Sequence, residues 1–365
     1  MKAKRGRLRI CGIAVLAGLA VWAKATIADE SRFTNAKIET QAVTGNLGAT
    51  IDRIAKRPAG PLWIAYEVDA VSSKDTTCCG DTKDGYCGLC RLEGGSGISV
   101  RGQNTNTTVK LEKAAQVTVL YRVSEKHVMR IRIASANCAL DAGGLRVLWL
   151  TGVKPEESVE VLSEFVKSGW DGGDKDDGVK NEALMAIAQH ADHSADVAYA
   201  NFVAPNQPSE LRGKASFWLG AARGKPGLTV LEKMAKTDPS AEVRDKVVFG
   251  MFVSHEPEAI DDIIRLAKDD SDAHVRGQAL FWLAQKAGQK ASGTIGNAIV
   301  NDPDTEVKKK AVFALTQMPH NEGVPKLIEV AQNNKNPEVR KQAMFWLGQS
   351  QDPRALAFFE KILSE

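Results

Sequence analysis

Between residues 179 and 347 one pattern returns every 32 residues without drift. A small apolar residue and a partner, mostly basic, recur at Val179-Lys180, Leu211-Arg212, Val243-Arg244, Val275-Arg276, Val307-Lys308 and Val339-Arg340. Five residues after the second of each pair come Met185, Phe217, Phe249, Phe281, Phe313 and Phe345. Seven after it come Ile187, Leu219, Met251, Leu283, Leu315 and Leu347. Three columns in phase over six copies mark an array of stacked supersecondary units. Such arrays present long surfaces for binding, and their architecture does not by itself supply catalysis.

Each unit reads as two helices. In Asp302 to Asn334, Asp302-Pro303-Asp304 supplies a cap and a proline near the first helical position. A helix follows from about Thr305 to Gln317 and Pro319 stops it; a second runs from Val324 to Ala331. At 100° per residue, Ala311, Leu315 and Ala314 lie within about 80° of Val307, whereas Phe313 lies at about 240°. A helix apolar on two faces is expected to be buried between neighbours, so the Phe column is assigned to stacking. Trp218, Trp282 and Trp346 alternate with Ala186, Gly250 and Ala314 and are assigned to packing as well. The second helices carry one stripe, such as Ile260, Ile263 and Leu266, leaving their other side to solvent.

The front of the chain has a different period. Gln116 to Val123 is rich in β-branched residues, Ser124-Glu125-Lys126 makes a turn, and His127 to Ile133 alternates. This predicts a hairpin with one buried face, with further strands at Leu62–Val68 and Leu145–Leu150. The expected body is a small β domain, a sandwich or open barrel. Pro155, followed by Glu156 and Glu157, opens a helix, and a Gly/Asp run over 169–178 reads as a linker rather than a calcium loop.

The first 25 residues read as a secretory signal peptide: Lys2, Lys4, Arg5, Arg7 and Arg9, then the apolar run Ile10 to Ala23, then Ala23-Lys24-Ala25. An uncleaved anchor is the alternative. This leader holds six of the 48 basic residues and none of the 45 acidic ones, so the remainder carries a net charge of −3. That balance excludes a phosphate-neutralising nucleic-acid binder. Stable membrane insertion after cleavage is not expected, and the location is the periplasm or the exterior.

The repeats resemble short bacterial HEAT-like repeats of the phycobilisome-lyase type over about residues 178–365. The likeness rests on Asp238-Pro239 to Val243-Arg244, Phe345-Trp346-Leu347-Gly348 and Asp352-Pro353-Arg354-Ala355-Leu356. Trp63 to Val68, Cys78-Cys79 and Asp141-Ala142-Gly143-Gly144-Leu145 resemble the leading domain of exported bacterial HEAT-repeat proteins. The resemblance implies that Asp238, Asp270 and Asp302 form a structural ladder with the helix bases, with Asn206 and Asn334 in the same column. The resulting expectation is an α+β multidomain chain. A signal peptide spans 1–25, a β-rich domain 26–152, a helix and linker 153–177, and an α-α superhelix of about six repeats 178–365.

Cys78, Cys79, Cys87, Cys90 and Cys138 all precede the repeats. In an exported chain they read as disulfides with one cysteine left over; a zinc site or a redox pair at Cys87 and Cys90 are the alternatives. His190 and His193 amount to half a metal site, and the single His255-Glu256 pair, followed by Pro257, argues against a di-iron hydroxylase. No phosphate loop, serine elbow or zincin motif occurs in the sequence. The reading is a non-enzymatic scaffold of the cell envelope with no cofactor and a protein partner. A metal or redox protein, or a chromophore lyase, are the alternatives. The expected partner surface is the second-helix face, with Asp261, Asp262, Arg265, Lys326 and Glu329.

Overall fold

The protein is described by a computed structural model over residues 32–57, 60–71, 90–93, 115–167, 170 and 177–364. The leader, Cys78, Cys79, Cys87 and most of the Gly/Asp run lie outside these residues.

Strands β1 (Phe33–Thr34), β2 (Lys37–Ala42), β3 (Leu62–Asp69), β4 (Cys90–Arg91), β5 (Gln116–Ser124), β6 (His127–Ser135), β7 (Leu140–Asp141) and β8 (Arg146–Thr151) build two sheets. The larger has the order β2-β8-β3-β5-β6 and the smaller β1-β7-β4. β5 and β6 pair through a turn in which Glu125 and Lys126 both take positive φ. That two-residue geometry matches the right-handed twist of the strands it joins. β3 is buried on both sides over Leu62–Tyr66, as expected for a central strand with both faces covered.

The sandwich or open barrel expected from the alternation is not what forms. β2 and β3 each pair with β8 in parallel, which a meander cannot achieve without a crossover. Helix α1 (Leu47–Lys56) follows β2, and α2 (Pro155–Lys167) follows β8. Asn46 caps α1, its Oδ1 accepting from the Ala49 amide at 2.7 Å, and Leu47, Ile51 and Ile54 point into the core. One face of the sheet therefore packs on helices through Ile64, Tyr66, Val119, Tyr121 and Leu150. The other face packs Trp63, Leu120, Val147 and Trp149 against Phe33, Leu92, Cys90, Cys138 and Leu140.

Among the described residues, twelve α-helices in six pairs follow, with short 3-10 turns at Gly288–Ala291 and Pro319–Asn321: α3 (Asp177–Gln189) with α4 (His193–Phe202), α5 (Ser209–Ala222) with α6 (Gly224–Thr237), α7 (Ala241–Val253) with α8 (Ala259–Asp269), α9 (Ala273–Ala287) with α10 (Ser292–Asn301), α11 (Thr305–Thr316) with α12 (Val324–Asn333), and α13 (Pro337–Gln349) with α14 (Pro353–Ser364). The chain is thus a helical-repeat solenoid behind a small sheet region. The apolar core runs unbroken from Leu47 to Phe358.

Backbone and side chains tie the first pair to the sheet. Val71 donates to the Gln189 carbonyl and Ala191 to the Asp69 carbonyl, both at 2.9 Å. Glu182 on α3 accepts from the Ile131 amide at 2.8 Å. A buried chain of four polar groups also bridges sheet, α2 and α3. Tyr121 OH lies 2.8 Å from Tyr66 OH, Tyr66 OH 2.7 Å from Ser158 Oγ, and Ser158 Oγ 2.8 Å from His190 Nε2. His190 Nδ1 lies 2.8 Å from the Ala186 carbonyl, which can only accept. Nδ1 therefore carries the proton and Nε2 accepts, so each hydroxyl must donate toward His190. Burial pushes the His190 pKa down to about 4, which keeps the ring in this neutral form.

Successive units are locked by the expected ladder. Arg212 forks onto Asp238 at 2.8 and 3.0 Å, Arg244 onto Asp270 at 2.8 and 2.9 Å, and Arg276 onto Asp302 at 2.8 and 3.0 Å. Each arginine reaches the aspartate of the following unit, while its third nitrogen holds backbone carbonyls at its own turn, as Arg244 does with Asp238 O at 2.9 Å. The ladder stops where Lys308 faces Asn334: Lys308 Nζ donates to the Val300 carbonyl and Asn334 Nδ2 to the Ile299 carbonyl.

The Trp column alternates with small residues for a steric reason. A Cβ on Gly220 would sit 1.9 Å from the Gly250 carbonyl oxygen, and one on Gly250 would sit 2.5 Å from the Ser216 carbonyl oxygen. α5 and α7 cross at backbone contact, and no side chain fits at Gly250.

Candidate functional site

Of the residues nominated on the second helices, Asp261 and Glu329 are exposed, Arg265 and Lys326 half-buried and Asp262 buried. Asp262 is only 3% exposed and is bound to Arg265 one turn along α8, so its assignment to an exposed surface is corrected. Its position at the foot of the apolar stripe, next to Ile263, explains the burial. Lys326 and Glu329 are paired within α12 at 2.7 Å. Each of these two charge pairs is satisfied inside its own helix.

The Phe column stacks between units as assigned, but it is not buried between them as expected. Phe217, Phe249, Phe281 and Phe313 are only half-buried, and Phe345 is 53% exposed. With the Trp column they make an unbroken ribbon of rings along the first helices. Trp218 meets Phe217 edge-on, Phe217 stacks on Phe249 at 5.8 Å, and Phe249 meets Trp282 at 4.9 Å. Trp282 meets Phe281 edge-on at 4.8 Å, and Phe281 stacks on Phe313 at 5.9 Å. Phe313 meets Trp346 at 4.9 Å, and Trp346 meets Phe345 edge-on at 4.9 Å. The Trp rings pack against the core as expected, while the Phe rings line its outside. The position near 240° was the available signal: it separates Phe from the core stripe, and exposed apolar rings in a row mark interaction surfaces.

Polar groups flank the ribbon one turn earlier on each helix. Between α11 and α13 they enclose an open cleft of about 320 Å³ lined by Glu306, Lys309, Lys310, Phe313, Gln342 and Trp346. Lys309 is paired with Glu306 at 3.0 Å. Lys310 Nζ lies 3.2 Å from His274 Nδ1 and has no carboxylate partner among the described residues. Trp346 Nε1 is buried with no acceptor among the described residues. Lys310 also lies over Gly277, where a Cβ would meet its Cδ at 2.4 Å, and Lys246 lies over Gly213 in the same way. Glycine in these two units makes room for the lysine of the next.

Catalytic and metal arrangements are poorly served by what is described. Ser158 and His190 are within hydrogen-bond reach, but both are fully buried and Nδ1 holds a backbone carbonyl where a hydrolytic triad needs an acid. His190 is buried at the end of α3 whereas His193 is exposed on α4, so the pair does not converge. Among the described residues no cluster of three or more potential metal ligands occurs. Cys90 and Cys138 are buried beneath the sheet; Cys78, Cys79 and Cys87 lie outside the described residues. No helix among the described residues is long and apolar enough to cross a membrane.

The HEAT repeat family matches residues 294–365. No curated protein matches the chain. Among solved structures, the chain is similar to human deoxyhypusine hydroxylase in complex with glycerol, at 15% identity over 57% of this chain and 90% of that one, with a TM-score of 0.30. It is similar to the S. pombe condensin Cnd3-Cnd2 subcomplex, at 22% identity over 52% of this chain and 27% of that one, TM-score 0.34. It is also similar to the CpcE–CpcF complex of phycocyanin lyase from a Nostoc species, at 15% identity over 54% and 76%, TM-score 0.30. Likenesses at these scores carry no information on activity.

Proposed function

We propose that this chain is a non-enzymatic protein-interaction scaffold that grips its partner with the aromatic ribbon on the first helices of the array. The observation that carries this reading is the continuity of the rings from Trp218 to Phe345, left half-exposed along five successive units. Aromatic side chains give large contact areas at small entropic cost and dominate the energetic centres of interfaces. A HEAT-repeat match at residues 294–365 supports the same class.

The test is affinity capture compared across variants. Phe281→Ser with Phe345→Asp is expected to abolish capture of partners held by the wild type. Arg265→Glu with Lys326→Glu, on the second helices, is expected to leave it intact. The opposite pattern would move the binding surface to the outer face.

The reading extends to location. The basic leader and the apolar run from Ile10 to Ala23 support export and work in the periplasm or outside the cell. The half-cystine state of Cys90 and Cys138, both buried, supports disulfides rather than a metal or redox centre in the front domain. N-terminal sequencing of the mature chain, and thiol counts with and without reductant, test the two points. An intact Met1 or five free thiols would refute them.

A further inference from the structure

We infer that the occupant of the ribbon is an extended acidic peptide segment of up to about nine residues, whose large apolar side chains sit among the Phe rings and whose carboxylates meet the lysines beside them. The inference rests on the interaction reading above and specifies its partner. Three observations carry it.

The first is length. Six centroid steps of 4.8 to 5.9 Å join Phe217 to Phe345. Their sum sets an upper limit of about 30 Å on the ribbon, which an extended chain at roughly 3.3 Å per residue covers in at most about nine residues. The second is charge. α11 and α13, which form the open end of the ribbon, carry Lys308, Lys309, Lys310, Arg340 and Lys341 against Glu306 and Glu338. Lys309 is held by Glu306, but Lys310 has no carboxylate partner among the described residues. An anionic side chain supplies the missing partner, and opposite charge sets both register and approach.

The third is donor chemistry. The cleft between α11 and α13 is lined by Lys309, Lys310, Gln342 and the aromatic residues Phe313 and Trp346. Only Glu306 on its lining is a pure acceptor. A site rich in N–H donors beside an aromatic floor selects a carboxylate adjoining an apolar group.

The experiment uses the full-length mature chain and blocked nonapeptides in which Leu or Phe alternates with Asp. Matched sets carry Asn or Lys in place of Asp. Calorimetry and tryptophan fluorescence, near Trp282 and Trp346, read binding at low and high salt. The Asp set is expected to bind and to weaken as salt rises. The Asn set should bind about tenfold more weakly, and the Lys set not at all. Lys310→Glu should erase the preference for Asp over Asn, and Phe345→Ala, at an exposed site that does not threaten the fold, should weaken the Asp set. Equal binding of all three sets would overturn the acidic assignment while leaving the aromatic interface standing. Failure of every peptide set, with quenching by a chito-oligosaccharide instead, would overturn both the occupant and the interaction reading.

Discussion

Removing one acid from the inter-unit ladder tests how the array is held together. Asp302 accepts two bonds from Arg276 and one, at 2.9 Å, from the Asp304 amide. Arg276 and Asp302 are both buried. Asp302→Ala therefore strands a guanidinium that keeps only its bonds to the Asp270 and Ser271 carbonyls. Leaving one partner of a buried pair uncompensated costs about 3–5 kcal/mol, and the slight exposure of both groups favours the lower end, about 3 kcal/mol. The pair itself is worth far less, because desolvation offsets most of its attraction. Arg276→Met with Asp302→Leu is accordingly expected to lie within about 1 kcal/mol of wild type. The missing rung offers the converse: Lys308→Arg with Asn334→Asp should add a fork and raise stability by up to about 1 kcal/mol. Urea unfolding followed by circular dichroism gives the changes. Hydrogen exchange should confine them to α9–α12, since an array couples only neighbouring units. A single mutant losing under about 1 kcal/mol, or a double mutant losing as much as the single, would refute the reasoning.

Three further outcomes follow from the geometry. The unfolded state takes up a proton on His190 near the ordinary value of 6.5, the folded state only near 4, so stability is complete above about pH 6.5 and falls as the pH drops toward 4. The loss should approach about 3 kcal/mol, and His190→Gln should remove this dependence in denaturation curves taken from pH 7 to 4. Ser158→Ala orphans both Tyr66 OH and His190 Nε2 and should cost about 2–3 kcal/mol in urea unfolding. Tyr121→Phe removes only the terminal donor and should cost about 1 kcal/mol; equal losses would contradict the assigned direction of the chain. Gly220→Ala drives a methyl into the Gly250 carbonyl and should lower the melting temperature at a cost of about 3 kcal/mol. Gly348→Ala, with nothing within 4 Å, should be neutral or raise it by up to about 1 kcal/mol.

Legibility followed the range of the interactions. The six helix pairs are readable because Val, Leu and the helix base recur at fixed spacing; the Arg–Asp ladder comes through the resemblance, its acids standing at the C-caps of α6, α8 and α10. The parallel strands are not readable, since β2 pairs with β8 across more than a hundred residues and nothing local encodes that choice. The β-domain reading omits α1 although Asn46 marks its start and Leu47, Ile51 and Ile54 stand at i, i+4 and i+7, a helical spacing. On the aromatic ribbon the wheel separates Phe313 from the core stripe, whereas apolarity alone predicts burial, and the ring is only half-buried. Asp262 failed in the mirror sense, as a charged residue assumed to be exposed. Both errors assign environment from residue type where position on the helix decides.

The alternation of Trp with small residues makes this an array that counts by twos. Trp282 fills the space beside Phe249 and Phe252, and Trp346 the space beside Phe313, whereas the intervening units bring Gly250 and Ala314 to the same column. Deleting or duplicating a single 32-residue unit would set two indoles, or two gaps, side by side and break the ribbon at that joint. The smallest segment that can be added or lost with every junction intact is a pair of units, so the natural currency of growth for this solenoid is twice the period its sequence displays.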